Sequence, residues 1–227
     1  MKRSLGLVAA LALSSSLALG SAGVADAAPG KVLTKPQLRA ALLTVKDLPK
    51  GFHLDRSSSS SDDDVTFTGA AGCDRFVKAV NDDAASGDTD TAHQATRDFA
   101  RGGGAEAVES GVESFTSTAL VKAEYDAITT VMRTCHQLTL HDPSDGPTVR
   151  FKVGVQKFKA DGQHAFVVTM HARYMGVPMD FALTGAQVRN NMVSVSSMGI
   201  EQSTTAQTQL AKRLLGTAVE KLSRRLS

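Results

Sequence analysis

The sequence predicts an α+β fold, in which an antiparallel β-sheet arranged as a meander carries packed helices and one disulfide. Between residues 149 and 197, apolar residues repeat at every second position, the period of a strand with one buried face. Turn-forming residues interrupt this alternation at short intervals, as expected for consecutive antiparallel strands. Elsewhere apolar residues recur every three or four positions, which indicates amphipathic helices that pack on the sheet.

Residues 1–27 have the layout of a secretory signal peptide. Lys2 and Arg3 precede an apolar run from Leu5 to Leu19, and Ala25-Asp26-Ala27 places small residues before a cut. The run of about 15 residues is shorter than the roughly 20 that a membrane-spanning helix needs. We therefore expect cleavage after Ala27 and secretion, with an uncleaved anchor as the alternative. No cysteine lies near the cut, so lipid attachment there is not expected.

The rest of the chain predicts a leader over residues 28–33 and a single domain over residues 34–227. Removing 27 of 227 residues leaves 200, enough for one well-packed core. The net charge is +2, or +1 without Lys2, Arg3 and Asp26, which does not favour nucleic acid as a partner. No later segment is long and apolar enough to span a membrane, so we expect a protein that is released or held at the surface by non-covalent contacts alone. We also expect a monomer.

The chain contains two cysteines, Cys73 and Cys135, and export would place both in an oxidising compartment. There a cysteine pair favours a disulfide over a metal or redox site. Closing a loop of 63 residues (135 − 73 + 1) stabilises the fold by about 4 kcal/mol through chain entropy. The alternative is two free thiols.

The first part of the domain predicts short elements. Apolar residues at helical spacing indicate a helix from Pro36 to Val45, which Thr34 caps. A turn over Asp47–Phe52 ends it. A second short helix is expected over Cys73–Val80. Two segments rich in serine and aspartate cannot bury apolar area and are expected to be loops: Ser57–Asp64 and Asp82–Asp90.

Longer elements follow. A strand is predicted over Thr91–Arg101, and Gly102-Gly103-Gly104 ends it. Residues 105–118 are expected to end as a second strand. The segment Ala119–Cys135 is the strongest internal helix, with Thr118 as its N-cap.

The second half of the chain predicts about four strands and a closing helix. Asp161-Gly162, Met175-Gly176 and Gly185-Ala186 are among the turn signals between the strands. A helix over Thr204–Leu226 has an apolar residue at every fourth position and should pack on the sheet. The alternating segments are Val149–Val155, Phe166–Met170, Phe181–Leu183 and Met192–Ser197.

Residues with catalytic or ligating chemistry form no recognisable frame. His164 and His171 are seven residues apart on one strand and should point to opposite faces, so a shared metal is not expected. His136 follows Cys135, but a disulfide would remove that sulfur as a nucleophile. We assign no catalytic residue, metal or cofactor. Six histidines lie outside any H-E-x-x-H or C-x-x-C frame: His53, His93, His136, His141, His164 and His171.

Other features are weak signals. No G-x-S-x-G frame supports a hydrolase, and the glycine run lacks the frame of a phosphate-binding loop. The acidic loops lack EF-hand spacing, which leaves solvated loops or incidental calcium binding. Four methionines in the sheet region fill the core or line an adaptable apolar pocket: Met170, Met175, Met179 and Met192.

The order of motifs resembles the PknH-like extracellular sensor domain of actinobacterial kinases, lipoproteins and secreted proteins. Leu42-Leu43-Thr44 leads into Asp47-Leu48-Pro49-Lys50-Gly51-Phe52, and Val112-Glu113-Ser114-Phe115 precedes the helix that ends in a cysteine. The resemblance covers residues 33–226. It implies helices on an antiparallel sheet, a ligand-binding cleft and no established enzymatic activity.

This chain departs from the family in two respects. Family members often have two disulfides, and this chain has cysteines for one. It also lacks a kinase domain, a transmembrane helix and a lipidation cysteine. The family's ligand residues cannot be carried over to individual positions here.

Our leading hypothesis is a secreted, non-enzymatic, sensor-like domain. A cleft between the methionine-containing sheet and the Ala119–Cys135 helix would hold an apolar or amphipathic small molecule or a cell-envelope component. One alternative is a cell-surface interaction protein that uses a basic C-terminal helix, and another is an unrecognised hydrolase. The basic residues of that helix are Lys212, Arg213, Lys221, Arg224 and Arg225.

Overall fold

Nine antiparallel strands form one sheet in the computed structural model, which describes residues 32–56, 66–70, 72–74, 77, 91–141 and 148–227. The strands are β1 (His53–Leu54), β2 (Thr66–Gly69), β3 (Thr91–Arg101), β4 (Glu106–Phe115), β5 (Gln137–His141), β6 (Val149–Ala160), β7 (Gln163–Tyr174), β8 (Val177–Val188) and β9 (Asn191–Ile200). Their order across the sheet is β1-β3-β4-β9-β8-β7-β6-β5-β2. The predicted α+β class is confirmed.

The three helices of the described residues are α1 (Lys35–Ala41), α2 (Thr118–Thr134) and α3 (Thr204–Leu226). The bounds of α3 agree with the prediction. Helix α1 ends at Ala41 rather than Val45, because Leu42 and Leu43 take an extended path that buries both side chains. The N-cap of α2 is Ser117 rather than Thr118, since the Ser117 hydroxyl accepts a hydrogen bond from the Leu120 N–H at 3.3 Å.

The predicted four-strand meander corresponds to β6–β9, and each strand is longer than the alternating segment that predicted it. Asp161-Gly162 connects β6 to β7, and Met175-Gly176 connects β7 to β8. Both residues of each turn have positive φ, the geometry that matches the twist of paired strands. The predicted turn at Gly185-Ala186 is wrong, because both residues lie within β8 and pair with β9. The predicted strand over Thr91–Arg101 is β3, with identical bounds.

Strands β1, β2 and β5 were not predicted from the sequence. These strands have two, four and five residues, too few for an alternating pattern to be recognised. Strands β1 and β2 form the two outer edges of the sheet. The predicted helix over Cys73–Val80 lies largely outside the described residues, and the predicted loops over 57–64 and 82–90 lie wholly outside them.

Helices α1 and α3 cover one side of the sheet, which we call the back face. Ser203 caps α3 by accepting a hydrogen bond from the Ala206 N–H at 3.2 Å. The sheet residues beneath α3 are small or β-branched, so the helix lies close to the strands. The buried cluster between them includes Ala165, Ala186, Val193 and Val195 of the sheet and Leu214, Leu215, Ala218 and Leu222 of α3.

Serines of β4 hold the segment around α1 on the back face. The Ser114 hydroxyl accepts a hydrogen bond from the Leu33 N–H at 3.0 Å, and that of Ser110 from the Leu43 N–H at 3.2 Å. Both serines are fully buried. Their hydroxyls therefore satisfy backbone donors that burial would otherwise leave unpaired.

The turn after α1 fastens α3 to the start of the domain. Asp47 accepts hydrogen bonds from the Thr44 N–H at 2.7 Å and from the Lys221 ammonium of α3 at 2.7 Å. Burial alone would raise the pKa of Asp47, but the hydrogen bonds from Lys221 and Thr44 outweigh it, and the pKa is lowered. Farther along the turn, the Arg101 guanidinium lies over the Phe52 ring, 4.6 Å from its centroid.

Helix α2 packs on the opposite side of the sheet, the front face. Its Tyr125 ring lies 5.6 Å from that of Phe166 on β7, and its hydroxyl donates to the Ala165 carbonyl at 3.2 Å. Val121 and Ile128 belong to the same buried cluster, whereas Ala123 is exposed.

The predicted disulfide is present. Cys73 and Cys135 are bonded and fully buried, and no free cysteine exists in the chain. The bond joins the residue that follows α2 to the segment after β2. It therefore ties the front-face helix to one edge of the sheet.

Replacing Cys73 by serine should lower stability. Opening a loop with a sequence separation of 62 removes about 4 kcal/mol in the chain-entropy model, or a melting temperature lower by about 10 °C. Differential scanning calorimetry under oxidising conditions measures the shift. A Cys73→Ala/Cys135→Ala variant controls for a single unpaired thiol, and its melting temperature should not respond to reductant. An unchanged melting temperature in Cys73→Ser would contradict a stabilising disulfide.

Two glycine-to-alanine substitutions should have opposite effects. The Phe166 ring lies across Gly185, and a Cβ added there would come 2.5 Å from its Cζ atom. Gly185→Ala should therefore destabilise the fold by about 1–3 kcal/mol. Gly216 lies within α3 with open space around its Cα, so Gly216→Ala should stabilise it by about 0.5–1 kcal/mol. Urea unfolding compares the two variants, and equal effects would contradict the packing of Phe166 on Gly185.

Candidate functional site

The histidine and carboxylate in closest contact lie on the back face. The His171 Nδ1 atom is 2.9 Å from the Asp180 Oδ1 atom, and the Thr204 hydroxyl donates to the same oxygen. Asp180 is buried, so these contacts fasten the first residue of α3 to β8. The Thr204 hydroxyl donates to Asp180 and not to the His171 ring, so the arrangement is not that of a nucleophile bonded to its base.

The five basic residues of the C-terminal helix do not form one surface. Lys212 and Arg224 are twelve positions apart, about 18 Å along a helix axis. Lys212 donates to the Gln156 side chain at 2.8 Å, Lys221 to Asp47, and Arg224 pairs with Glu220 one turn away. Intramolecular contacts therefore engage three of these cations.

The methionines separate into two groups. Met170, Met179 and Met192 are buried in the front-face cluster, where their flexible side chains fill the space beneath α2. Met175 instead lies on the turn between β7 and β8, with 82% of its surface exposed. The buried methionines make the region directly under α2 part of the core.

Polar residues occupy the front face beside α2. Asp98 of β3 lies opposite Glu109 of β4, and Glu109 lies opposite Ser196 of β9. Ser194, two residues earlier on β9, is on the same face, opposite Gly111. We call Asp98, Glu109, Ser194 and Ser196 the front-face strip. All four residues are partly exposed.

The strip continues directly into apolar residues. The cross-strand row that begins at Asp98 and Glu109 passes through Ser196 to Leu183 and then Val168, both buried in the front-face cluster. A neighbouring row carries the half-buried Ala107 and the buried Met198. On this face, carboxylates and hydroxyls therefore adjoin the apolar core, and Ala107 is its half-buried margin.

Glu109 has the most perturbed acidity in this region. Desolvation by burial, and secondarily the charge of Asp98, raise its pKa from 4.5 to about 7. Near neutral pH the side chain therefore exists as both acid and carboxylate. It can donate a hydrogen bond in one form and accept one, or face a cation, in the other.

Sequence reasoning did not find the strip. On β4 the buried residues Val108 and Val112 alternate with Glu109 and Glu113, a pattern that reads as a strand with a solvated face. Only the strand order shows that this polar face is continuous with the apolar face of β7 and β8. Ser194 and Ser196 lie on β9, far along the sequence from the carboxylates of β3 and β4. Sequence spacing therefore gave no indication that these residues are neighbours.

A metal-binding cluster and a membrane-spanning helix are both absent from the described part of the chain. It has no cluster of three or more histidine, cysteine or acidic side chains arranged to hold a metal ion. Its helices also include none with the length and apolar character needed to cross a membrane.

Comparison with known proteins identifies the family. The family model of the PknH-like extracellular domain matches residues 25–216. None of the curated protein sequences matches the chain. The chain is similar to the crystal structure of the extracellular domain of PknH from Mycobacterium tuberculosis, with a TM-score of 0.61 and 15% identity, over 86% of this chain and 98% of that one.

At this level of identity the structural likeness shows a shared fold. The family match, by contrast, extends over most of the sequence, from before α1 to within α3. The chain therefore belongs to the PknH-like extracellular domain family.

Proposed function

We propose that this protein is a secreted, non-enzymatic, sensor-like domain that binds an apolar or amphipathic small molecule on its front-face strip. The observation that supports this proposal is the cross-strand row that runs from Asp98 and Glu109 through Ser196 to Leu183. Its carboxylates and hydroxyl lie next to apolar side chains on one face, as in small-molecule sites with few polar groups in an apolar surround.

The polar end of the ligand would face Glu109 and Ser196. Glu109 is half-buried, so a hydrogen bond or ion pair formed there is less screened than one in bulk water. Because its pKa is raised to about 7, the side chain suits either a hydrogen-bond acceptor or a cationic group.

The apolar part of the ligand would lie on the neighbouring residues of the same face. Ala107 is two positions from Glu109, and Ile200 is four positions from Ser196. Both are half-buried and pack against the front-face cluster, so they still offer apolar surface. The proposed site would therefore lie beside α2, where these residues are partly exposed, and not beneath it, where the methionines are buried.

Two further observations support the proposal. One concerns binding without catalysis, and the other concerns a location outside the cell. Asp180 binds both His171 and the Thr204 hydroxyl and so holds the start of α3 on the sheet, which is a structural role. The family is that of an extracellular domain, which agrees with the signal peptide expected over residues 1–27 and its cleavage after Ala27.

Native mass spectrometry of the protein secreted by its own host tests this function. We expect an adduct of defined mass in the wild type and its loss in Ser196→Met, which places a large side chain beside Glu109. Thr169→Met is the matched control, because Thr169 is equally half-buried but faces the back of the sheet, and it should retain the adduct. Thermal unfolding confirms that both variants fold. A wild type without any adduct, or equal loss in both variants, would contradict the proposal.

A further inference from the structure

The turn between β7 and β8 exposes apolar side chains at one end of the sheet. Met175 is 82% exposed and Val177 is 36% exposed, two of the four large apolar residues that stand out to solvent in the described chain. Tyr174, just before them, is half-exposed. The corresponding turn between β6 and β7 has the polar residue Asp161 where this turn has Met175. The geometry of the turn therefore does not require apolar residues there. We call Met175 and Val177 the apolar tip.

Methionine is an unfavourable choice at this position for folding. Met175 has a φ of 51°, in the left-handed region that asparagine, aspartate and glycine tolerate best. Two-residue turns of this kind prefer Asn-Gly or Asp-Gly. Because the exposed Met175 side chain gains no stability from core packing, a contact with a partner outside the chain would explain why a methionine occupies this position.

Basic residues surround the tip on the back face. Arg173 lies two residues before Met175, and its guanidinium donates to the Gly176 carbonyl at 3.0 Å, which holds the charge at the tip. Lys152 of β6 lies opposite His171, and Arg150 is two residues nearer the same end of the sheet. With a rise of about 3.3 Å per residue, Arg150 and Arg173 lie within about 10 Å of the level of Met175.

Few described acidic groups lie near these cations. Strands β2, β5, β6 and β7 contain five lysines and arginines and no aspartate or glutamate, and β8 contributes Asp180, which is buried against His171. Within the described residues, no carboxylate forms an ion pair with Arg150, Lys152 or Arg173. Glu201, whose N–H binds the Pro178 carbonyl, places one carboxylate at this end of the sheet.

We propose that the β7–β8 turn and the cations beside it dock the protein on an anionic lipid bilayer, with Met175 and Val177 entering the headgroup region. Exposed apolar side chains next to lysines and arginines are the combination that binds such surfaces: the apolar groups leave water while the cations meet the lipid phosphates. Arg150 and Arg173, within about 10 Å of the level of Met175, lie at a distance comparable to the Debye length of about 8 Å at physiological salt. The surface is separate from the front-face strip.

Vesicle sedimentation of the protein without residues 1–27 tests the docking surface. We expect binding to phosphatidylglycerol/phosphatidylcholine (1:1) vesicles at 50 mM NaCl, at least tenfold weaker binding at 300 mM NaCl, and no measurable binding to pure phosphatidylcholine. Arg150→Gln/Lys152→Gln should weaken binding at least fivefold, since a cation near an anionic surface contributes about fivefold and Lys152 lies farther from the turn than Arg150.

Two variants make the test specific. Met175→Asn should weaken vesicle binding about tenfold while keeping or raising the melting temperature, because asparagine fits this turn and lacks the apolar surface. Arg224→Gln/Arg225→Gln removes the same charge from α3 and should bind as the wild type does.

Three results would overturn the proposal. One is an absence of binding to anionic vesicles, and another is an equal loss in the Arg224/Arg225 variant. The third is full binding by Met175→Asn, which would show that the cations recognise a soluble polyanion instead of a bilayer.

Discussion

The burial of one nine-stranded sheet on both faces is the constraint on which the rest of the structure depends. Side chains alternate between the faces along every strand, so each strand must suit two different surroundings at once. The back face meets α3 through small residues such as Ala165, Ala186 and Val193, while the front face meets α2 through Phe166 and the buried methionines. Two aspartates then fix where α3 lies on the sheet: Asp180 of β8 binds its first residue, Thr204, and Asp47 of the turn after α1 binds Lys221.

Charge is distributed unevenly across this sheet, and the distribution separates two surfaces. Strands β3 and β4 carry four carboxylates and two arginines, whereas β6 and β7 carry only cations. The carboxylates approach apolar residues on the front face, which suits a small amphipathic molecule. The cations flank the apolar turn at Met175, which suits an anionic surface. In the basic C-terminal helix, Lys221 binds Asp47 and Arg224 pairs with Glu220 on the exposed surface.

Much of the fold was predictable, because the spacing at which apolar residues recur differs between strands and helices and so indicates which of the two a segment forms. The bounds of β3 and α3 agree with the sequence, and the disulfide followed from the expected compartment. Tertiary contacts decided the rest. Leu43 leaves the helical pattern because Ser110 binds its backbone N–H, and the short β5 becomes a strand only by pairing with β6. The front-face strip was not predictable, since Glu109 and Ser196 meet only through the strand order.

Our central claim is that the front face holds Glu109 half-buried for binding, at a cost in stability. Urea unfolding of the wild type and Glu109→Gln at pH 5 and pH 8 tests it most directly. Because its pKa is raised from 4.5 to about 7, folded Glu109 retains its proton where the unfolded chain has lost it, so stability falls as pH rises through this range. We predict that Glu109→Gln gains about 2–3 kcal/mol relative to the wild type between pH 5 and pH 8, whereas Glu220→Gln on the exposed side of α3 does not. A wild-type and Glu109→Gln difference that stays constant across this range would contradict the claim.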